Sequence, residues 1–205
     1  MAGRPRSFDR QQALTRAMEV FWARGYADAS MAELTAAMGI NAPSLYAAFG
    51  SKEQLFREAV ELYRRTEGET EWRRLEDHTP VRETIEALLL ATAEAAACPD
   101  KPRGCLIVLS GAHPDGLPER VCAELGDIRA QTMARLEARL RRARDAGEIG
   151  PAADPAAIAA FYATVHQGMS FRARDGATPE ELRGTARAAM LAWDNLVGAA
   201  PAGRA

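Results

Sequence analysis

Residues 30–54, SMAELTAAMGINAPSLYAAFGSKEQ, carry closely spaced signals for the start and end of short helices. Ser30 followed by Glu33 is a capping box, in which each side chain can accept a hydrogen bond from the backbone N–H of the other residue. Gly39 is a typical helix stop, and Asn41 is a typical cap for the next helix. The stretch therefore predicts two short helices that meet at a tight turn.

Two short helices joined in this way form a helix-turn-helix, in which the second helix is presented to the major groove of DNA. Tyr46 is placed where its hydroxyl can reach a phosphate, and Lys52 adds positive charge. The helix N-termini at Ser30 and Ser51 offer free N–H groups to phosphate oxygens. The residues expected to face the groove are Ala42, Pro43, Ser44, Tyr46 and Ala47, and the full DNA-binding set adds Arg4, Arg6, Ser30, Asn41 and Lys52.

Other interpretations of these residues stay open at the level of sequence. The helix-turn-helix pattern alone is also compatible with an αα-hairpin inside a core. Ala42 and Pro43 can make only apolar base contacts, such as to a thymine methyl. Tyr46 could instead hold the small domain together by packing. Residues 3–6, Gly-Arg-Pro-Arg, are either an arm whose arginines enter an A·T-rich minor groove or a disordered tail.

The charge distribution favours a polyanionic partner at the N-terminal end. The whole chain has a net charge of −2 and a pI near 6.0, which by itself argues against a nucleic-acid binder. Within residues 1–52, however, six basic side chains outnumber four acidic ones. A later group of arginines is interpreted as a solvated helix face instead of a second nucleic-acid site. It comprises Arg135, Arg139, Arg141, Arg142 and Arg144.

Length and composition describe an ordinary globular chain. Its 205 residues are 47% hydrophobic and 26% charged, and no apolar run is long enough to span a membrane. The chain begins with polar sequence instead of an apolar signal segment, so we predict a cytoplasmic protein. Its three cysteines fit reduced thiols better than a disulfide framework.

Helical periodicity along the chain predicts an all-α fold. The first helix has Ser7 as its N-cap and Gly25 as its stop, and Thr79 with Pro80 starts a later helix as N-cap and first helical residue. The remaining predictions are a buried helix within 104–112, a long helix over 119–146, and two last helices over 154–175 and 178–197.

Another capping box, formed by Ser51 and Gln54, predicts the helix that follows the helix-turn-helix. We accordingly expect a first helical unit with a basic arm over 1–52, a connecting helix over 53–78 and a second helical unit over 79–200.

An ordered set of residues carries a family resemblance: Ala17-Met18-Glu19-Val20-Phe21, Arg24-Gly25-Tyr26, Ser30-Met31, Met38-Gly39-Ile40-Asn41, Ser44-Leu45-Tyr46, Phe49 and Ser51-Lys52-Glu53-Gln54-Leu55. In these residues the chain resembles the TetR family of transcriptional regulators, of the TetR/AcrR type. A looser match to one branch of the family follows in Arg103-Gly104-Cys105-Leu106, Gln167-Gly168-Met169-Ser170 and Ala173-Arg174-Asp175-Gly176-Ala177. One departure is Ala42-Pro43, where the family often has a polar or basic residue.

The resemblance implies a homodimer of all-helical subunits. Each subunit then has a three-helix DNA-binding domain over 1–52, a fourth, connecting helix over 53–78 and a helical ligand-binding and dimerisation domain over 79–200. Two-fold symmetry doubles the base contacts, so we expect a pseudo-palindromic operator with half-sites about one helical turn or a small multiple apart. The last two helices should pair as a four-helix bundle. The expected interface comprises Ile158, Phe161, Tyr162, Val165, Met169, Leu182, Ala186, Ala189, Met190, Trp193 and Val197, with Gly168 allowing close approach.

The predicted function is a ligand-responsive regulator, a repressor that a mostly apolar small molecule releases from its operator. Aliphatic stripes with a few interior polar residues favour a cavity in the C-terminal domain. Its predicted lining is Leu89, Thr92, Leu106, Leu109, Ser110, His113, Met133, Phe161, His166 and Met169, with Gln167 as a further polar candidate.

The sequence also bears on other classes of function. The sequence contains no phosphate loop, nucleophile elbow, zinc-protease helix or paired carboxylates, so we predict no enzyme and no cofactor. No cysteine or histidine spacing indicates a metal site; His113 and His166 are isolated. One alternative is a regulator that senses oxidation or alkylation through Cys105. Another is a helical ligand-binding or scaffold protein that does not bind DNA.

Overall fold

The structure, a computed structural model, describes residues 8–76, 79–111 and 116–198. Over these ranges the chain is helical and has no strand, which confirms the all-α prediction. The N-terminal helices are α1 (Arg10–Asp28), α2 (Met31–Met38), α3 (Ala42–Phe49) and α4 (Lys52–Tyr63). A π-helical segment (Arg64–Gly68), α5 (Glu69–Trp72) and a 3₁₀ turn (Arg73–Glu76) continue α4. The remaining helices are α6 (Val81–Ala96), α7 (Leu106–Ser110), α8 (Glu119–Asp145), α9 (Pro155–Arg174), α10 (Pro179–Met190) and α11 (Trp193–Val197).

Two predicted helix starts are wrong. Asp9, not Ser7, caps α1, because its carboxylate accepts hydrogen bonds from the N–H groups of the next turn; Ser7 lies outside the described residues. Pro80 occupies the N-cap position of α6, and no side chain of a neighbouring residue caps that helix. The carboxylate of Glu148, distant in sequence, accepts the Val81 N–H at 2.7 Å in its place.

Other predicted helices differ in detail from the observed ones. Ser51 accepts the N–H of Gln54, but the Gln54 side chain accepts a hydrogen bond from Arg57, so only half of the predicted capping box forms. The last predicted helix is broken after Met190 and resumes at Trp193. The connecting helix is also irregular, since it contains the π-helical segment.

Two hydrophobic cores hold the helices together. The first unites the inner faces of α1–α4 and extends to Leu106 and Ile107 of α7 and to Val121 and Leu125 of α8. The second lies among α6, α8, α9, α10 and α11 and includes Trp72. Because the first core combines residues of α1–α4 with residues of α7 and α8, the N-terminal helices pack directly on the middle of the chain.

Candidate functional site

The turn between α2 and α3 has the geometry that its sequence predicts. Ser30 accepts the Glu33 N–H, and the Glu33 carboxylate accepts the Ser30 N–H, so this capping box is complete. Gly39 adopts the left-handed conformation, with φ 68° and ψ 30°, which lets the chain turn sharply after α2. Asn41 then caps α3 by accepting the Ser44 N–H at 2.8 Å.

Helix α3 has one buried face and one exposed face. Leu45 and Phe49 are buried in the first core and fix the orientation of the helix. The predicted groove-facing residues Ala42, Pro43, Tyr46 and Ala47 are exposed, and Ser44 is half-buried. Tyr46 has half of its surface exposed, which argues against the alternative that it holds the small domain together. The exposed face of α3 is therefore free to contact a partner.

Arg10 positions α3. The sequence alone does not indicate this role, because its partners are distant in the chain. Its guanidinium donates to the Glu58 carboxylate at 2.8 Å and to the carbonyl oxygen of Ala48 at 3.2 Å. The same group lies 4.2 Å from the centre of the Phe49 ring, within cation–π distance. Arg10 thus ties α1 and α4 to the C-terminal end of α3.

Lys52 has an intramolecular role that the sequence did not predict. Its ammonium lies 4.7 Å from the centre of the Tyr26 ring and donates to the Ala27 carbonyl oxygen. Burial lowers the pKa of Lys52 below its ordinary value, while the charge of Asp28 opposes this shift. Lys52 therefore stabilises the junction of α1 and α4, and its phosphate contact stays a prediction. Arg4 and Arg6 lie outside the described residues.

We call residues 64–76, which continue α4, the connecting segment. A first cavity, of about 90 Å³, lies between this segment and helices α7, α8 and α9. A second cavity, of about 630 Å³, lies on the other side, between the connecting segment, α1, α6 and α9. Gly68, Trp72, Cys105 and His166 line both, so they form a shared wall. These residues lie in the connecting segment, at the start of α7 and on α9.

His166 is the buried polar residue of this wall. Its imidazole ring meets the Trp72 ring edge to face, with the ring centres 4.9 Å apart. Burial lowers the pKa of His166 to about 4, so the ring is uncharged at neutral pH and offers one hydrogen-bond donor and one acceptor. Such a group can orient a ligand that enters either cavity.

The predicted ligand-binding residues divide into two groups. Met133, His166 and Gln167 line the first cavity, and Thr92 and His166 line the second. Six predicted residues line neither cavity: Leu89, Leu106, Leu109, Ser110, Phe161 and Met169. Leu89, Leu106 and Met169 fill the cores instead, because neighbouring helices cover the faces that carry them. His113 lies outside the described residues.

Hydrogen bonds join the N-terminal helices to the region of the cavities. The indole N–H of Trp22 donates to the Gly104 carbonyl oxygen at 3.0 Å, and Arg174 donates to the Trp22 carbonyl oxygen at 3.1 Å. The Trp22 ring also packs edge to face on Tyr63, with ring centres 4.8 Å apart. Trp22, Tyr63 and Gly104 all line the second cavity.

The predicted dimer residues are corrected by the structure. Nearly all of them are buried in the core of a single subunit because α6 and α8 cover that face of α9 and α10: Ile158, Tyr162, Met169, Leu182, Ala186, Ala189, Met190, Trp193 and Val197. Phe161 and Val165 are partly buried against the same core. A face that is already buried within the subunit cannot also cover a partner.

On the side of α9 and α10 that faces away from this core, apolar residues are exposed beside the charged Glu180 and Arg187, and Leu191 directly follows α10. Leu191 has 82% of its surface exposed and Phe171 has 39%. The small exposed residues between them are Ala157, Ala160, Thr164 and Gly168 on α9 and Gly184 and Ala188 on α10. A Cβ added at Gly168 or Gly184 would meet no atom of the described residues within 4 Å, apart from the local helix backbone. We call this set the α9–α10 outer face.

The arginines of α8 are engaged within the subunit. Arg135 pairs with Glu69 and Glu76, Arg141 pairs with Glu137, and Arg142 donates to the Leu75 carbonyl. Arg139 is buried and pairs with Glu148, so the prediction of a solvated face is wrong for that residue. Its Nε is a buried nitrogen without a hydrogen-bond partner among the described residues.

Other classes of site receive no support from the described residues. They contain no group of three or more His, Cys, Asp or Glu side chains that could hold a metal ion. Each of the described helices is too short or too polar to cross a membrane. Cys98, Cys105 and Cys122 are half-buried and none forms a disulfide.

Comparison with known proteins identifies the family. Residues 13–59 match the family described as bacterial regulatory proteins, tetR family, and residues 81–189 match the one described as tetracyclin repressor-like, C-terminal domain. The HTH-type transcriptional repressor ComR of Escherichia coli is 34% identical over 95% of this chain and 93% of its own length. The repressor BdcR of the same organism is 34% identical over 90% of this chain and 88% of its own length.

A solved structure agrees with these sequence matches. A cysteine mutant of the TetR family regulator CifR, complexed with a 26-base-pair double-strand operator DNA, is 42% identical to this chain. It superimposes with a TM-score of 0.87, covering 93% of this chain and 100% of that one. Both parts of the sequence and the full-length relatives therefore show that this chain belongs to the TetR family of bacterial regulatory proteins, which are transcriptional regulators and not enzymes.

Proposed function

We propose that this protein is a homodimeric repressor that binds a pseudo-palindromic operator through α3 and leaves it when a small molecule occupies the cavities beside the connecting segment. The exposed face of α3 carries this proposal, since Pro43 and Tyr46 project from a helix whose other face is fixed in the core. The operator complex of CifR, a relative with 42% identity, supports it.

Dimerisation is proposed through the α9–α10 outer face. A single short α3 makes too few base contacts to select one operator, so a second copy of the chain is the expected occupant of an exposed apolar face. Small residues such as Gly168, Gly184 and Ala188 allow the helices of two subunits to approach closely. Leu191 and Phe171 supply the larger apolar area. The paired helices would form a four-helix bundle.

The proposed signal passes through the connecting segment. Arg64 and Gly68, at the two ends of the π-helical turn, both line the first cavity. A π-helical turn is often found at functional sites, and it can absorb a change in helix register. A ligand that prefers one arrangement of this turn would move α4 and α1 together, because Trp22 packs on Tyr63. Such coupling is typically about 1–3 kcal/mol.

The DNA-binding part is tested with the intact protein and genomic fragments that it captures. We expect Tyr46→Ala to weaken binding to the captured operator about tenfold or more, because a phosphate contact is lost. The matched control is Arg141→Ala, which removes a positive charge from α8. Equal losses in both variants would contradict the role of α3. An unchanged affinity in Tyr46→Ala, with the melting temperature preserved, would reject the assignment of Tyr46.

Thiol modification is a second candidate for the signal. Cys105 lies in the wall shared by the two cavities, so its thiol is a candidate target for an electrophile that enters either one. Alkylation by an alkyl iodide such as iodoacetamide would form a sulfur–carbon bond as the carbon–iodine bond breaks, with release of iodide and of the thiol proton, and would add bulk beside Trp72. Operator binding with and without an alkylating agent, on the wild type and Cys105→Ser, decides between the candidates. Equal release in both proteins excludes Cys105.

A further inference from the structure

Among the arginines that line the first cavity, Arg129 forms no ion pair with a carboxylate of the described residues. Arg64 pairs with Glu61, and Arg135 pairs with Glu69 and Glu76. Arg129 lines the same cavity, and its only hydrogen bond among the described residues goes to the Ile107 carbonyl oxygen at 3.3 Å. A guanidinium has five N–H donors, so most of those of Arg129 remain available to a ligand.

Two glycines show how closely the Arg129 guanidinium is held. A Cβ at Gly111 would overlap that guanidinium, at 2.7 Å from its Cζ. A Cβ at Gly126 would lie 3.9 Å from its Nη2, which is ordinary contact. The guanidinium therefore occupies space that the absent side chain of Gly111 leaves open, while the Ile107 carbonyl holds it from one side.

Glu69 also lines the cavity, and its carboxylate is paired with Arg135. The uncharged part of the surface combines apolar side chains with hydrogen-bonding groups. The apolar residues beside Arg129 include Trp72, Ile107, Val108 and Ile128. Gln131 and Gln167 offer amide groups, and neutral His166 is buried in the wall. About 10–15 Å³ is enough for one water molecule, so about 90 Å³ can receive a small organic group. Such a lining suits a ligand with one anionic end and an apolar body.

On these contacts we propose that the effector is a small organic carboxylate, whose carboxylate binds Arg129 and whose apolar body lies against Trp72. The inference rests on the proposed effector response and names the chemical class of that effector. The proposed effector is therefore an amphipathic anion instead of the mostly apolar molecule that the sequence predicts. A carboxylate accepts two parallel hydrogen bonds from a guanidinium, which gives both affinity and orientation.

The experiment compares carboxylates with their neutral amides on the full-length protein. The probes are benzoate, phenylacetate and octanoate, each paired with its amide, with inorganic phosphate as an anion that lacks an apolar body. Binding is measured by calorimetry on the free protein, and release is measured separately on the operator complex. We expect at least one carboxylate to bind about tenfold or more tightly than its amide and than phosphate.

Three variants test the position of the anion. Arg129→Gln should lose that preference for the carboxylate, and Gly111→Ala should weaken carboxylate binding by displacing the guanidinium without removing its charge. Gly126→Ala is the matched control and should bind as the wild type does. Melting temperatures and binding of the neutral amide check that each variant is folded.

The possible outcomes separate this inference from the proposed function. The carboxylate class is rejected if no carboxylate binds, if amides or phosphate bind equally well, or if Arg129→Gln retains the preference. Release of the operator by a neutral amide alone would also reject it, although the effector response would stand. Binding through Arg129 without operator release would support the site and contradict the proposed response.

Discussion

At the scale of single residues, Trp22 links the N-terminal helices to the C-terminal part through one buried hydrogen bond. Its indole N–H donates to the Gly104 carbonyl oxygen, and its ring is almost completely buried. Replacing it by Phe would keep most of the apolar contact but leave that carbonyl without its donor. A comparison with another buried tryptophan can therefore separate the free-energy cost of losing this hydrogen bond from the cost of losing side-chain volume.

We predict that Trp22→Phe lowers the free energy of unfolding by about 2 kcal/mol, because an unsatisfied buried carbonyl costs about 1–3 kcal/mol. Urea unfolding followed by circular dichroism measures this change. Trp193→Phe is the control, since Trp193 is also buried but makes no indole hydrogen bond to the described residues. If both variants lose the same stability, the bond from Trp22 contributes nothing measurable.

Glu148 couples the start of α6 to the end of α8. Its carboxylate accepts hydrogen bonds from Arg139 and from the Val81 N–H. Burial by itself raises the pKa of Glu148, but these hydrogen bonds and the charge of Arg139 outweigh burial, so the pKa lies below its ordinary value of 4.5. A carboxyl whose pKa is lower in the folded state stabilises the fold above the pKa of the unfolded chain. That contribution is lost as the pH falls through the folded pKa.

We predict that Glu148→Gln lowers the free energy of unfolding by about 2–4 kcal/mol at pH 7, because the buried Arg139 loses its counter-charge. The difference from the wild type should shrink as the pH falls below about 4.5, since protonation then removes the same charge. Thermal unfolding from pH 7 to pH 3 measures both effects. A difference that stays constant over this range would show that the charge of Glu148 is not responsible.

At the scale of elements, the loop between α6 and α7 requires Gly104 for two separate reasons. Its φ of +80° lies in the left-handed region, and a Cβ there would lie 2.6 Å from the Ser170 carbonyl oxygen of α9. Gly104 also donates its N–H to Ala96 of α6 at 2.9 Å. The loop backbone is thus packed between α6, α9 and Trp22 of α1.

We predict that Gly104→Ala lowers the free energy of unfolding by about 2–4 kcal/mol, from strain and from the clash with the α9 backbone. Gly176→Ala is the matched control, because Gly176 also has a positive φ but no atom within 4 Å of an added Cβ. The control should lose only about 1 kcal/mol, the cost of the backbone conformation alone. Equal losses by chemical denaturation would contradict the close contact with Ser170.

At the scale of the whole molecule, the assembly depends on which face of the last long helices meets a partner. We predict that Gly184→Arg makes the protein monomeric while each subunit stays folded, because a Cβ at this position has room within the described residues and the long side chain then projects from the α9–α10 outer face. Light scattering at micromolar concentration measures the mass. Operator affinity should fall at least about tenfold, since binding of the two half-sites is uncoupled.

The control for this prediction is Ala130→Arg, which places the same side chain on an exposed position of α8, outside the α9–α10 outer face. It should remain dimeric and bind the operator normally. A Gly184→Arg protein that is still dimeric would mean that the subunits associate through another surface.

Sequence by itself determined the features that depend on neighbouring residues. The Ser30–Glu33 capping box, the Asn41 cap and the turn at Gly39 form as their spacing predicts. Thr178 and Glu181, with the same spacing, form a capping box at the start of α10. Helix caps and helical periodicity act over three or four positions, so the all-α fold and the helix-turn-helix can be inferred directly from the chain. The candidate DNA-binding face of α3 follows from the same local pattern.

Tertiary structure alone decided which of two apolar faces of α9 and α10 is buried. Both faces carry alanine and larger apolar residues, so periodicity could not distinguish the face that α6 and α8 cover from the α9–α10 outer face. The tertiary structure also decided which side chains meet. Arg10 of α1 pairs with Glu58 of α4, and Arg139 of α8 pairs with Glu148 of the following loop. One wall brings together Gly68, Trp72, Cys105 and His166. Contacts of this kind depend on how helices pack against one another, and no local sequence signal specifies that arrangement.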